Sequence, residues 1–471
     1  MLSWIITLFI VGLGAVLAFK RSWWTVDYAI AVFVFNRGLR RVLDWDAGAF
    51  NRLSPISLTP LIVCGLMAIP FLPAWRTLPQ PIKTIFTSLG IATGYAFAIG
   101  FFRIQFGAVY ALAEVITPVF ALGFMVTAHA PAPVRDRWIR SAAWCAILAS
   151  AYGWFQYLTI PPWDAFWVKS VGFVGYLGQL RPTEMTVFST MAERGPLAAY
   201  LAFAVAAMIL SPRWRTPLSW AGVVLVFSVL LLTLSRAGVI VATMAVFIHL
   251  FINRGKGGFH AILGMMVLFT ALAFGMSRMP GAQRVATRFQ TLGNMTEDGS
   301  FKGRTELRAV GLRQIVSNPL GYGLGATGIA GRVNTGSLEG QATIGDGGYF
   351  DIISTYGLIG SAFFFHAFWV MWKELSRRYR AGFRPGPVLL ARTFLLVLIP
   401  ATFVGNYLNG FSLIWIVFGA GLCPVAFGQF LRHRAASRKS PGPSALQKES
   451  MPPKPPEQPE RSLFSKSPGP R

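Results

Sequence analysis

The chain has 471 residues, of which 54% are hydrophobic and 13% charged, with a mean hydropathy of +0.52. That balance excludes an ordinary water-soluble domain. The formal charge of +25 would suit a nucleic-acid binder, but the Lys and Arg residues sit in short connections between apolar blocks and in the C-terminal tail. Such a distribution encodes membrane topology, so no nucleic-acid partner is predicted.

The apolar blocks run to roughly 17–25 residues, about one bilayer crossing each. The predicted fold is all-α, a polytopic transmembrane helical bundle of about 12 to 13 spans. Residues 2–18 are apolar and are followed by Lys20 and Arg21 where a small-residue cleavage site would otherwise stand, so a retained first helix is expected. The run 25–35 is short for a crossing and leads into the basic stretch NRGLRRVLDWDAGAFNR. It either crosses or lies in the interface, and the side of the N-terminus depends on which. Spans are predicted near 57–73, 84–102, 107–128 and 142–159.

A polar excursion at 161–195 follows, in which Trp163 and Trp167 read as interface anchors while Arg181, Glu184, Glu193 and Arg194 bring charge to one face. Further spans are predicted near 196–210, 217–234, 237–252 and 261–277, closing a bundle domain at 1–277. A larger polar loop, 278–346, separates it from C-terminal spans near 348–372, 387–405 and 408–431, within a domain at 347–431. The tail 432–471 is rich in Pro, Ser and basic residues, so it is expected to be disordered and cytoplasmic. Counting back, KELSRRYRAGFRPG, NRGKGGFH, SPRWRTP and APVRDRWIR all fall inside, and both polar excursions fall outside.

The apolar stretch 217–252 is too long for one crossing, and a turn is expected near Ser235–Gly238, with Gly relieving the backbone. Arg236 then stands at the outer boundary. It is either a helix-end arginine reaching lipid phosphate or a fixed cation for an anionic substrate. Arg suits phosphate because its planar fork stays charged and donates in pairs. In the large loop, Arg304, Arg308 and Leu312 follow helical spacing, predicting a short amphipathic helix that ends before Asn318–Pro319, with the turn GYGLG after it. Arg304 either pairs with Glu306 or meets a substrate anion.

Asp346 precedes the next apolar run and Asp351 lies a few residues inside it. A carboxylate there is either a helix cap or a general base facing a substrate hydroxyl. The loop has no histidine between His260 and His366, so any base in it must be a carboxylate. Glu114 is a further acid inside an apolar span.

LLLTLSRAG at the end of one span, GRTELRAVGLRQIVSNPLGYGLG in the large loop and DGGYFDIISTYGLIG re-entering the membrane together resemble the O-antigen ligase and Wzy-type polysaccharide polymerase superfamily. GWFQYLTIPPWDAFWV and VFSTMAERGPLAAYL are similar to its upstream landmarks, so the resemblance spans about Gly153 to Gly360. It implies a GT-C-like fold with short helices in a periplasmic catalytic loop, in the bacterial inner membrane. It also implies metal-independent, cofactor-free, inverting transfer of glycans carried on undecaprenyl pyrophosphate. A flippase and a chain-length regulator of the same pathway would be partners.

Arg236 matches the arginine of the family's Ser-Arg turn and Arg304 its loop arginine. Asp346 falls where the ligase branch usually carries the histidine of a His-Asn motif, a departure that points to a polymerase of exopolysaccharide, capsule or O-antigen repeats rather than a ligase. The predicted catalytic set is Asp346, Arg304 and Arg236, and the predicted pyrophosphate- and glycan-binding set is Arg236, Arg304, Arg308, Arg181 and Tyr349. A lipid-linked glycan transporter is the reading from another class. It would call for internal repeats and midplane charge.

Overall fold

The computed structural model describes residues 2–51, 54–172, 177–191, 193–211, 217–253, 299–326, 347–381, 386–408 and 412–424. The predicted span 261–277, Asp346 and the tail 432–471 lie outside the described residues. Among those described, the chain is helical with no strand, and an isolated antiparallel bridge joins Gly178 and Met185.

The chain opens with α1 (Leu2–Phe19) and α2 (Trp24–Asp46), followed by the short pieces α3 (Thr59–Leu66) and α4 (Ala68–Phe71) where one span was predicted over 57–73. Pro70 has no N–H to donate to Leu66 O, so the run breaks at Met67, whereas Pro60 sits in the first turn of α3, where no donor is needed. Long helices follow: α5 (Gln80–Ile104), α6 (Phe106–Thr127) and α7 (Ala132–Thr159). Then come α8 (Pro162–Val171), α9 (Arg194–Leu210), α10 (Pro217–Leu232), α11 (Arg236–Asn253) and α12 (Gly299–Ser317). The chain closes with α13 (Gly348–Arg380), α14 (Gly386–Ala401) and α15 (Leu413–Leu422). Helix α12 ends at Ser317, where Asn318–Pro319 predicted a stop. Among the described residues, α1, α5, α6 and α13 are long and apolar enough to cross a membrane by length and composition.

Two ends of the bundle are defined by contacts between distant segments. At the lower end, Trp23 Nε1 donates to Ala128 O (3.2 Å) and Trp138 Nε1 to Trp23 O (3.0 Å). Arg378 Nη1 there reaches the carbonyls of Gly421 and Cys423 at 3.2 and 3.0 Å. At the upper end, Arg41 meets Asp164 and the 189–191 segment, and Val187 N donates to Leu232 O at 3.3 Å. Helix α2 therefore runs from the lower end at Trp24 to the upper end at Arg41. The 25–35 run is part of a full-length helix, and the Leu2 end of α1 lies at the upper end.

The core lies where α9, α10 and α14 pack. Every residue of Leu197–Leu210 is buried except Ala199, which is partly buried, and Phe203, Phe227, Phe394 and Phe418 are fully enclosed. Burial of such side chains contributes about 1.5–3 kcal/mol each relative to exposure in water. Inside a membrane that drive is replaced by packing, which the small residues Ala198, Ala202, Ala204 and Ala206 on α9 allow at close range.

Candidate functional site

The upper end is organised by a break in α13. Gly357 has φ 63° and ψ −179°, so the helix is interrupted there and its carbonyls lose their in-helix donors. The turn after α12 supplies replacements. Tyr322 N donates to Ser354 O (2.7 Å), Gly323 N to Thr355 O (3.1 Å) and Leu324 N to Ala96 O of α5 (2.8 Å). In return, Leu358 N donates to Pro319 O at 2.9 Å. Gly323 is at φ +86°, and a Cβ there would collide with the backbone of Gly100. GYGLG is thus a backbone-to-backbone docking strip between α5 and α13, a role its sequence alone did not reveal.

The docked α12 overlies the segment 399–408. Arg308 Nη2 donates to Phe403 O at 3.2 Å. Tyr349, in the first turn of α13, donates its hydroxyl to Ile399 O (2.8 Å) and its backbone N–H to Thr402 O (3.3 Å), and its ring lies 4.7 Å from that of Phe403. Asn406 Nδ2 donates to Asp351 Oδ2 at 2.6 Å, while Asn406 Oδ1 accepts from Leu408 N at 3.1 Å. Two elements, α12 and α13, therefore hold one loop distant from both in sequence. Below it a small cavity is lined by apolar residues of α5, α6, α13 and α15, with Asn406, Thr93 and Tyr356 as its polar members.

Arg236 is the first residue of α11. Ser235 caps that helix, its Oγ accepting from Gly238 N at 3.3 Å. The sharp reversal is made by Leu234, at φ 54°, rather than by the glycine expected to relieve it. Gly238 instead gives room for close approach, since a Cβ there would meet Leu230 and Ala198. His249 of α11 and Thr393 of α14 meet at 2.8 Å. At about 1.5 Å per residue, Arg236 stands roughly 20 Å above that contact and the end of α14 about 12 Å above it. Arg236 is thus higher than the end of α14, at the same end of the bundle as Arg308, Tyr349 and Asp351.

The turn bearing Arg236 is tied to a fully buried ion pair. Arg41 Nε lies 3.1 Å from Asp164 Oδ1, and both side chains are 0% exposed. The contact is an ion pair without hydrogen-bond alignment. Arg41 spends its other donors on Met191 O (3.2 Å) and Ser189 O. Asp164 Oδ2 accepts from Tyr152 Oη (2.8 Å) and Gln156 Nε2 (2.6 Å), while Gln156 Oε1 accepts from Phe188 N and Ser189 N at 3.0 and 2.8 Å. Burial pushes the Asp164 carboxyl above its usual range against the opposing pull of Arg41, Tyr152 and Gln156. The 187–191 strap pinned in this way holds Leu232 through Val187, just before the Leu234 reversal.

Of the predicted site residues, Arg308 and Tyr349 touch the 399–408 segment, and Arg236 lies at its end of the bundle. Arg304 is about one turn before Arg308 on α12, with its side chain outside the described set. Asp346 lies outside the described residues. Arg181 stands exposed on the 177–191 segment, which is held by α2, α7 and α10, and the described contacts do not bring it to the other residues. Glu114 meets Tyr110, one turn back on α6, and Arg37 of α2, a partner its sequence neighbourhood did not supply. Sequence reading missed Asn406, Arg41 and Asp164. A buried arginine in a helix signals a partner, but nothing local says that the partner sits on α8.

Residues 221–365 match the O-antigen ligase family model. The matched O-antigen ligase region runs from α10 through the first half of α13 and includes Arg236, Arg304, Arg308, Asp346, Tyr349 and Asp351. It does not include Arg181. No curated protein matches the chain. The O-antigen ligase match supports a ligase- or polymerase-type, glycosyltransferase-like function with lipid-linked oligosaccharide substrates. With the long apolar helices, it describes a membrane protein.

Proposed function

We propose that the protein is a polysaccharide polymerase of the bacterial inner membrane, with the upper end facing the periplasm and the lower end and tail facing the cytoplasm. Its donor is an undecaprenyl-pyrophosphate-linked oligosaccharide. The observation that carries the reading is the convergence of Arg308, Tyr349 and Asp351 on the 399–408 segment at the end of the bundle that bears Arg236, all within the region matching the O-antigen ligase model.

In this reading Arg236 and Arg304 neutralise the pyrophosphate, where the low dielectric of the membrane boundary strengthens each contact. An acceptor hydroxyl oxygen attacks the anomeric carbon with inversion. The bond from that carbon to the pyrophosphate oxygen breaks, polyprenyl pyrophosphate leaves with the electron pair, and the hydroxyl proton passes to Asp346. Leaving-group stabilisation is the larger contribution. Arg308 and Tyr349 hold the floor of the site, and no metal enters the scheme.

The second reading, transfer of the glycan to a lipid or protein acceptor, is favoured by the description of the matching family model as an O-antigen ligase. Asp346 in place of a histidine favours the polymerase. Purified protein given only lipid-linked repeats decides between them: a polymerase extends them, and a ligase leaves them single until an acceptor is added. In cells, Arg304→Ala is expected to abolish polymer while lipid-linked repeats accumulate and the protein stays in the membrane. Normal polymer in that variant refutes the scheme.

A further inference from the structure

Below its break at Gly357, α13 continues from 358 to Arg380, about 35 Å at 1.5 Å per residue against about 30 Å of bilayer hydrocarbon, and Arg378 in its last turn contacts the lower-end carbonyl of Cys423. Its last turns therefore reach the lower interface. Trp369, Trp372, Lys373, Ser376, Tyr379 and Arg380 follow helical spacing and so share one face. Lys373 Nζ lies 5.0 Å from the Trp369 ring centroid.

Into this face α14 sends Arg392, only 9% exposed. Its guanidinium carbon lies 4.1 Å from the Tyr379 ring centroid and 5.2 Å from that of Trp372. Ser376 falls between those two rings along the helix. Arg392 Nε and Nη1 and Ser376 Oγ are all buried, and none has a hydrogen-bond partner. Leaving such groups without an acceptor is costly, a charged donor most of all. The nearby acid does not serve them, because both oxygens of Glu374 are taken by Arg377 and Arg378 at 2.8 Å.

We propose that this face binds the phosphate of an anionic phospholipid at the lower interface. Phosphate oxygens accept from Arg392 Nε and Nη1 and from Ser376 Oγ. Trp369 and Trp372, above Ser376 along the helix, border the acyl chain and glycerol, as aromatic residues do at membrane interfaces, while Tyr379, about one turn below Ser376, stands on the headgroup side. Lys373 and Arg380 lie outside and select against headgroups that carry their own cation, so phosphatidylglycerol is preferred over phosphatidylcholine. The site lies at the opposite end of the bundle from the proposed reaction and does not depend on it.

The test titrates short-chain phosphatidylglycerol, short-chain phosphatidylcholine and inorganic phosphate against the purified full chain in neutral detergent, with bound lipid counted by native mass spectrometry and Tm followed in parallel. Saturable binding of phosphatidylglycerol is expected, about tenfold tighter than phosphatidylcholine, with no Tm rise from inorganic phosphate at matched concentration. Arg392→Gln and Ser376→Ala are each expected to remove most of that preference while the protein stays monodisperse. If Arg392→Gln fails to fold, Arg392→Lys, which keeps the charge and loses the fork, still weakens it. Equal binding of both lipids, unchanged preference in Ser376→Ala and Arg392→Lys, or an equal Tm rise with inorganic phosphate would each overturn the assignment.

Discussion

Replacing Asp164 by Ala tests whether the upper end depends on its buried charge. Both partners of the pair are 0% exposed and 3.1 Å apart, so the variant leaves the Arg41 cation enclosed. Breaking a buried pair in this way costs about 3–5 kcal/mol. Tyr152 and Gln156 also lose their acceptor, at about 1–3 kcal/mol for each donor left unsatisfied. Relaxation recovers part of that sum, and a net loss of about 4 kcal/mol is expected. Reversible unfolding in mixed micelles of rising SDS fraction measures it. Protease sensitivity of the 177–191 segment should rise in parallel. In a double-mutant cycle, Arg41→Met combined with Asp164→Ala should be less damaging than the two changes added together, because no lone charge remains. A loss below about 1 kcal/mol for Asp164→Ala, or strict additivity, would show that the pair does not hold the strap.

Burial holds the Asp164 carboxyl above its ordinary range, so the folded state binds that proton more tightly than the unfolded state does. This contribution to stability is full below the unfolded pKa and is lost as pH rises to the folded one. Asp164→Asn should flatten the stability profile across the acid range, and an unchanged profile would refute the assignment. Gly323→Ala places a Cβ against the Gly100 backbone and should undock α12. Loss of a cysteine cross-link engineered between α12 and α13 would report it, and full cross-linking would count against the docking role. Asn406→Ala leaves Asp351 Oδ2 without that donor and should lower polymer yield more than Asp351→Asn, which can still pair with the Asn406 amide. The reverse order, read from polymer in cells, would mean that the carboxylate charge matters rather than the tie to the loop.

The apolar blocks determined by themselves that this is an all-helical bundle, because a segment that must satisfy its own backbone in lipid has few other choices. Local signals also set the start of α11 at Ser235–Arg236 and the end of α12 at Ser317, since capping and proline effects act within a few residues. Tertiary structure alone decided that the 25–35 run belongs to a helix connecting both ends of the bundle, because its polar half is stabilised by Asp164 and the strap rather than by its own sequence. It also decided that GYGLG serves a break at Gly357, and that Asp351 faces Asn406. Those pairings join segments distant along the chain, and hydrophobic periodicity carries no information about which polar group will meet which once the helices pack.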